Sequence, residues 1–163
     1  MNYHNITKDD MLNGDGLRVV LWVAGCSHHC RGCQNPFTHD PDGGILFDDS
    51  AEREIYEQLE QDYISGITFS GGDPLHEKNI DEILRLSVSV RNKYPDKTIW
   101  VYTGFTLKLI QDDMSVLGGK RQKLISMIDV LCDGKYEEDK KSPDIPWVGS
   151  SNQNVYRFGA RKI

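Results

Sequence analysis

Residues 18–35 read RVVLWVAGCSHHCRGCQN. Arg18 to Ala24 is a β-branched, aromatic and apolar run bounded by Asp15-Gly16 before and Gly25 after, the composition of a buried strand. The strand leads into a loop with Cys26, Cys30 and Cys33, three of the chain's 4 cysteines. Ser27, His28, His29 and Arg31 make that loop too polar for its thiols to be core residues. A structural zinc site takes four protein ligands, usually in two pairs, and no second CxxC or HxxxH pair exists here. His28 or His29 could complete a zinc set only by folding back within a very short loop. An iron-sulfur cluster, held by thiolates from short loops, fits better, with one iron left open by the missing fourth thiolate.

Outward from this stretch, Asp48-Asp49-Ser50 precedes Ile55 and Leu59, four apart. Asp49 followed by Glu52 has the offset of an N-cap with its reciprocal acid, so a helix of about three turns is expected. Ile67 to Phe69 is a short second strand before Ser70-Gly71-Gly72. A helix follows from about Asn79 to Tyr94, with Ile80, Ile83, Leu84 and Val88 on one face, and Pro95 ends it. Thr98 to Tyr102 is a third strand, residues 106–112 and 120–128 are helical candidates, and Ile128 to Leu131 is a fourth strand. This alternation predicts an α/β fold with right-handed crossovers and a mainly parallel sheet. The 163 residues fit a single domain, 1–163, with an irregular tail from about residue 143. A complete eightfold barrel takes about 250 residues, so the chain can supply only part of one, or an open sheet. Either way, ligands gather at the C-terminal ends of the strands. There the cysteine loop, Ser70-Gly71-Gly72, Thr103-Gly104 and Cys132-Asp133-Gly134 would share one rim.

The 25 acidic and 19 basic side chains leave a formal charge of -6, which would repel a phosphate backbone. Lys120, Arg121 and Lys123, and Arg157, Arg161 and Lys162, read as solvated surface, so no nucleic acid partner is expected. The N-terminus has acidic residues and no apolar core of signal-peptide length, and the longest apolar stretch, Leu17 to Cys26, is broken by Arg18. Neither export nor a membrane is expected. The expected location is cytoplasmic, where clustered cysteines bind metal in preference to forming disulfides.

The CxxxCxxC of this loop resembles the signature of the radical S-adenosylmethionine enzymes. Phe69-Ser-Gly-Gly-Asp-Pro-Leu75 is similar to that family's glycine-glycine-acid-proline segment, although alone it would read as a strand-to-helix turn with Pro74 starting the helix. More narrowly, the chain resembles the glycyl-radical activases that act on anaerobic ribonucleoside-triphosphate reductase. Asn13-Gly-Asp-Gly-Leu-Arg18 and Gly25 to Asn35, with His28, Gly32 and Asn35 in favoured places, match that pattern. Trp100-Val-Tyr-Thr-Gly104, Asp129-Val-Leu-Cys-Asp-Gly134 and Gly149-Ser-Ser-Asn-Gln153 follow in the family's order. Val148 and Asn154 depart from it, standing where the family has arginines flanking the last segment.

The resemblance implies a partial (β/α) barrel of the radical SAM type. Cys26, Cys30 and Cys33 would each bind one iron of a catalytic 4Fe-4S cluster, and S-adenosylmethionine would chelate the fourth iron through its amino and carboxylate groups. It further implies reductive cleavage of that ligand and hydrogen abstraction from a glycine of the large reductase subunit, with reduced flavodoxin or ferredoxin as electron donor. Gly71, Gly72 and Asp73 would hold the ligand's amino group, and the backbone around Gly32, Cys33 and Gln34 would touch its adenine. Thr103 and Asp133 are read as ligand contacts or as cap and turn residues. His28 is read as a donor to a cluster sulfur or a brace of the loop, and Cys132 as a buried thiol. Three alternatives stand: an activase of another glycyl-radical enzyme such as pyruvate formate-lyase, a ring-forming radical enzyme acting on a pterin-like substrate, and a non-enzymatic zinc-binding module. The Gly149 to Gln153 segment and the short length argue against the first two.

Overall fold

In the computed structural model, which describes residues 1–159, seven strands form one mixed sheet. They are β1 (Asn2–Asp10), β2 (Leu17–Val23), β3 (Ile45–Leu46), β4 (Ile64–Gly71), β5 (Thr98–Tyr102), β6 (Val130–Asp133) and β7 (Asn154–Arg157), in the order β3-β1-β2-β4-β5-β6-β7. The four central strands β2, β4, β5 and β6 are parallel, while β1, β3 and β7 pair antiparallel at the sides. Helix α1 (Asp49–Leu59) leads into β4 and α2 (Ile80–Lys93) into β5, and α3 (Leu107–Asp112) with α4 (Val116–Ile125) leads into β6.

Side chains alternate across a strand, and here the alternation separates two environments. Val19, Leu21 and Val23, Ile67 and Phe69, Ile99 and Val101, and Leu131 join Ile55, Leu59, Ile83, Leu86, Val90 and Leu124 of the helices in one buried core. The intervening residues point to the opposite face. There Trp100, Val130 and Cys132 form a second, smaller cluster against Trp147, Val148 and Val155. Arg18 lies on that face without solvent contact, donating to Thr68 Oγ1 and Ile67 O (2.7 Å each) and to Thr98 Oγ1 (2.9 Å). Burial lowers its pKa to about 10, so it stays charged at neutral pH.

The sheet is wider than the sequence predicts. β1 carries no visible apolar period because its register slips between Tyr3 and Asn5, and that irregularity lets Tyr3 and Ile6, three apart, both be buried. The expectation of an irregular tail is corrected at Asn154–Arg157, where β7 pairs Val155 with Cys132 and Tyr156 with Leu131. Asp48, not Asp49, caps α1, accepting from the backbone of Ser50 and Ala51 at 3.0 Å each. In α2 the buried stripe is Ile80, Ile83, Leu86 and Val90, and Val88 falls off it at 39% exposed. α4 begins at Val116, ahead of the expected 120, because Ser115 accepts from Gly118 N at 3.0 Å; β6 correspondingly runs Val130–Asp133 instead of 128–131.

Arg121, expected to be solvated, lies 4.1 Å over the Phe105 ring and donates to Leu75 O at 3.1 Å. Arg161 and Lys162 fall outside the described residues. Among the described residues no helix is long and apolar enough to cross a membrane.

Candidate active site

The C-terminal ends of the parallel strands border a cleft of about 660 Å³, a size suited to small ligands. Cys26, Cys30, Cys33, Gln34, Gly71, Gly72, Asp73, Thr103, Gly104 and Cys132 line it, so the strand-end motifs do meet at one rim. A larger cleft, about 980 Å³, lies at the other end of the strands around Ser65, Thr98 and Val130. Four of its charges are paired, Arg157 with Asp15 at 2.6 Å and Arg91 with Asp129, and Lys97 donates to the Gln61 and Ile64 carbonyls. It brings no thiols together, so the chemistry belongs to the smaller cleft.

Backbone hydrogen bonds hold the two lips of that cleft together. Gly25 turns the chain out of β2 at φ +100°, a conformation natural to glycine. Gly25 N donates to Thr38 O (2.8 Å) and Cys26 N to His39 O (3.0 Å), which anchors the start of the cysteine loop. Gly72 N donates to Val23 O and Asp73 N to Gly25 O, both at 2.8 Å. A Cβ on Gly72 would sit 2.6 Å from Gly25 O, so the close approach requires glycine. Gly32, expected beside an adenine, is not among the cleft-lining residues. Its φ of +71° itself favours glycine, and its would-be Cβ lies 3.0 Å from the end of the flexible Glu138 side chain. Arg31 donates to that carboxylate at 2.7 Å and to Asp139 at 3.0 Å, tying the loop to the short turn Glu138–Lys140.

The Cys26 thiol sits in surroundings that call for a positive partner. Burial above all, then Asp73 and the neighbouring thiols, push Cys26 up to about 11, while a hydrogen bond from the His28 backbone pulls the other way. Asn35 N donates to Cys33 Sγ at 3.4 Å. A cationic cluster would compensate the thiolate and expel the proton. Among the described residues no three His, Cys, Asp or Glu side chains converge as a single metal ion requires. A four-iron cube instead takes each thiolate on its own iron, and the donor set fits it.

The remaining expected residues divide by role. Asp73 is 1% exposed, and its carboxylate accepts from His28 Nε2 (2.6 Å), Leu75 N (2.8 Å), Thr103 Oγ1 (2.9 Å) and Gly104 N (3.1 Å). Thr103 therefore serves Asp73. Asp133 acts at a cap, accepting from Leu107 N at the start of α3 (2.6 Å) and from Asn154 Nδ2 (3.0 Å). Cys132 is buried, and loss of solvent raises it to about 12. Gln153 Oε1 accepts from Gly149 N (2.9 Å) and Ser150 N (3.1 Å), and its Nε2 donates to Gly134 O (2.8 Å), so Gln153 braces the Gly149–Gln153 turn, whose two ends line the cleft. Of the two departures, Val148 packs on the Trp100 cluster and Asn154 binds Asp133.

Sequence reasoning missed the aromatic lining of Trp22, Tyr102, Tyr136 and Trp147, together with Met11 and Leu12, which are 69% and 81% exposed. Alternation along β2 and β5 could have placed Trp22 and Tyr102 on the cleft face. Nothing local marks the others.

A family model described as a 4Fe-4S single cluster domain matches residues 12–156, so the class of protein defined by this cleft and its thiols is a 4Fe-4S single-cluster protein. The chain is 41% identical to the anaerobic ribonucleoside-triphosphate reductase-activating protein of Pasteurella multocida over 160 residues, 97% of this chain and 98% of the relative. It is 40% identical to the protein of that name in Escherichia coli K12 over 160 residues, 97% of this chain and 99% of the relative. With that of Enterobacteria phage T4 it shares 38% over 156 residues, 96% of this chain and 94% of the relative. The chain belongs to the family of anaerobic ribonucleoside-triphosphate reductase-activating proteins.

Proposed function

We propose that this chain is a radical SAM enzyme that holds one 4Fe-4S cluster on Cys26, Cys30 and Cys33, binds S-adenosylmethionine at the open iron, and generates a glycyl radical on the large subunit of anaerobic ribonucleoside-triphosphate reductase. The observation carrying this reading is the cleft itself, with three thiols on one lip and the Gly71-Gly72-Asp73 turn on the other. The relatives' names favour it over an activase of another glycyl-radical enzyme and over a zinc-binding module.

When bound, the reduced cluster and its ligand supply the electron transfer that releases methionine and a 5'-deoxyadenosyl radical. The chain's own residues bind and orient. The thiolates would hold the cluster against the end of β2, and the Asn35 N–H, which donates to Cys33 Sγ, would help tune its potential. The Gly71-Gly72-Asp73 turn would receive the ligand's amino group, and of the Gly32–Gln34 backbone the cleft-lining residues Cys33 and Gln34 would approach its adenine. Helices cover one face of the sheet, which we read as the partial (β/α) barrel of the radical SAM type in a single domain, 1–163. The cleft would then be open for a polypeptide to enter. Reduced flavodoxin or ferredoxin serves as electron donor, in the cytoplasm.

The test is anaerobic reconstitution with iron and sulfide, dithionite reduction, and assay of 5'-deoxyadenosine from S-adenosylmethionine, with Cys30→Ala as control. Product from the wild type alone is expected. Absence of product, with zinc in the protein as isolated, would replace the enzyme by a binding module.

A further inference from the structure

We infer that Asp73 is a positioning residue that clamps the cysteine loop through His28, leaving the ligand's amino group to the backbone of the glycine pair. The inference rests on the proposed cluster and ligand, and it narrows the part Asp73 plays in holding them.

An ionised carboxylate offers about four acceptor sites. In Asp73 they are taken by protein donors: Leu75 N and the Thr103 hydroxyl on Oδ1, Gly104 N and His28 Nε2 on Oδ2. A ligand ammonium could reach this carboxylate only by displacing one of them. Three of the four belong to the turn after β4 or to the end of β5. The fourth, His28, belongs to the cysteine loop, and so Asp73 joins that loop to the ends of two parallel strands.

His28 is built into its place. Its side chain is 8% exposed, and its ring packs edge-on against Phe105 with centroids 4.6 Å apart. It also lies over Gly104, where a Cβ would fall 2.3 Å from the ring. Phe105 is backed in turn by Arg121 at 4.1 Å. His28 stands two residues after Cys26 and two before Cys30. Fixing its ring on Asp73 therefore fixes the backbone that carries two of the thiolates, and the placement of cluster ligands among nearby charges and hydrogen bonds helps set cluster potential.

The test compares His28→Ala, Asp73→Ala and the double variant after anaerobic cluster assembly. Two quantities are read: the cluster potential without ligand, by EPR-monitored redox titration, and the ratio of affinities for S-adenosylmethionine and its analogue lacking the amino group. Both single variants should shift the potential, and the double variant should match Asp73→Ala, because His28 acts through that carboxylate. The affinity ratio of Asp73→Ala should match that of the wild type. Gly104→Ala, which displaces the His28 ring and leaves Asp73 in place, should reproduce the His28→Ala shift and stands in if either alanine variant fails to fold. Additive potential shifts, or a Gly104→Ala potential equal to that of the wild type, would overturn the clamp. So would a loss of amino-group discrimination by about tenfold or more in Asp73→Ala, the worth of a charged hydrogen bond. A wild type that holds its cluster and binds no S-adenosylmethionine would sink the proposed function alone, because the potentials are measured without ligand.

Discussion

The carbonyl oxygen of Gly25 lies 2.6 Å from the position a Cβ on Gly72 would occupy, so the strand end bearing the glycine pair is pressed onto the strand end bearing the cysteines. Gly72→Ala must separate them. The expected cost is about 1–3 kcal/mol, as for other overpacked sites, with less iron retained per chain after reconstitution. Gly119, in α4, has nothing within 4 Å of its would-be Cβ, so Gly119→Ala should stabilise by about 0.5–1 kcal/mol. Thermal unfolding of both variants checks the pair. A Gly72→Ala chain with wild-type stability and iron content would show that the approach is not required.

Each of Cys26→Ala, Cys30→Ala and Cys33→Ala should lose the cluster, read as iron, sulfide and visible absorbance. Cys132→Ala should keep it, because that thiol is 1% exposed and packs with Trp100 and Val130. Its cost should be confined to stability, about 1–2 kcal/mol for a small buried group. Loss of the cluster in Cys132→Ala would make Cys132 a ligand and refute the three-thiol assignment.

Arg91 and Asp129 form a buried ion pair, their side chains 4% and 13% exposed. Arg91 also donates to Met127 O at 2.7 Å, and Asp129 accepts from Ile99 N at 2.7 Å. Removing one partner leaves the other charge uncompensated. Arg91→Met should therefore destabilise by about 3 kcal/mol or more in urea unfolding, whereas Lys108→Met, on an exposed pair with Asp112, should leave the unfolding midpoint close to that of the wild type. Equal effects would contradict the difference in burial.

Glu52 accepts from both terminal nitrogens of Arg85, which is the main reason its pKa is lowered from the usual 4.5. A carboxyl depressed by folding stabilises the native state above its unfolded pKa, and that contribution disappears as pH falls through the folded value. Wild type should exceed Glu52→Gln in stability near neutral pH, and the gap should close as pH falls below 4.5. Urea unfolding across that range decides it, a gap independent of pH being the contrary result.

The parallel core was legible because β2, β4 and β5 are apolar runs ended by glycine, polar or turn residues, and because α1 and α2 carry an apolar stripe of helical period. The thiols and the glycine pair were legible for a related reason, since both follow directly on such runs. β1 was hidden by its irregular register, and β7 by its brevity. The cap fell one residue early because two adjacent aspartates offer the same chemistry and only backbone geometry chooses between them. Gly32 was read as room for a ligand, yet its φ of +71° already favours glycine, and the side chain nearest its would-be Cβ, Glu138, is over a hundred positions away in sequence. For the same reason the partners of Asp73 could not be read: His28 and Thr103 reach it from the ends of other strands, and no local pattern records that meeting.

The most direct measurement is EPR on the large subunit of the cognate anaerobic ribonucleoside-triphosphate reductase after mixing with the cluster-loaded, reduced chain and S-adenosylmethionine. A glycyl radical signal is predicted on the reductase, dependent on S-adenosylmethionine and absent with Cys30→Ala. No signal from a preparation that nonetheless forms 5'-deoxyadenosine would contradict the assignment of this reductase as the substrate.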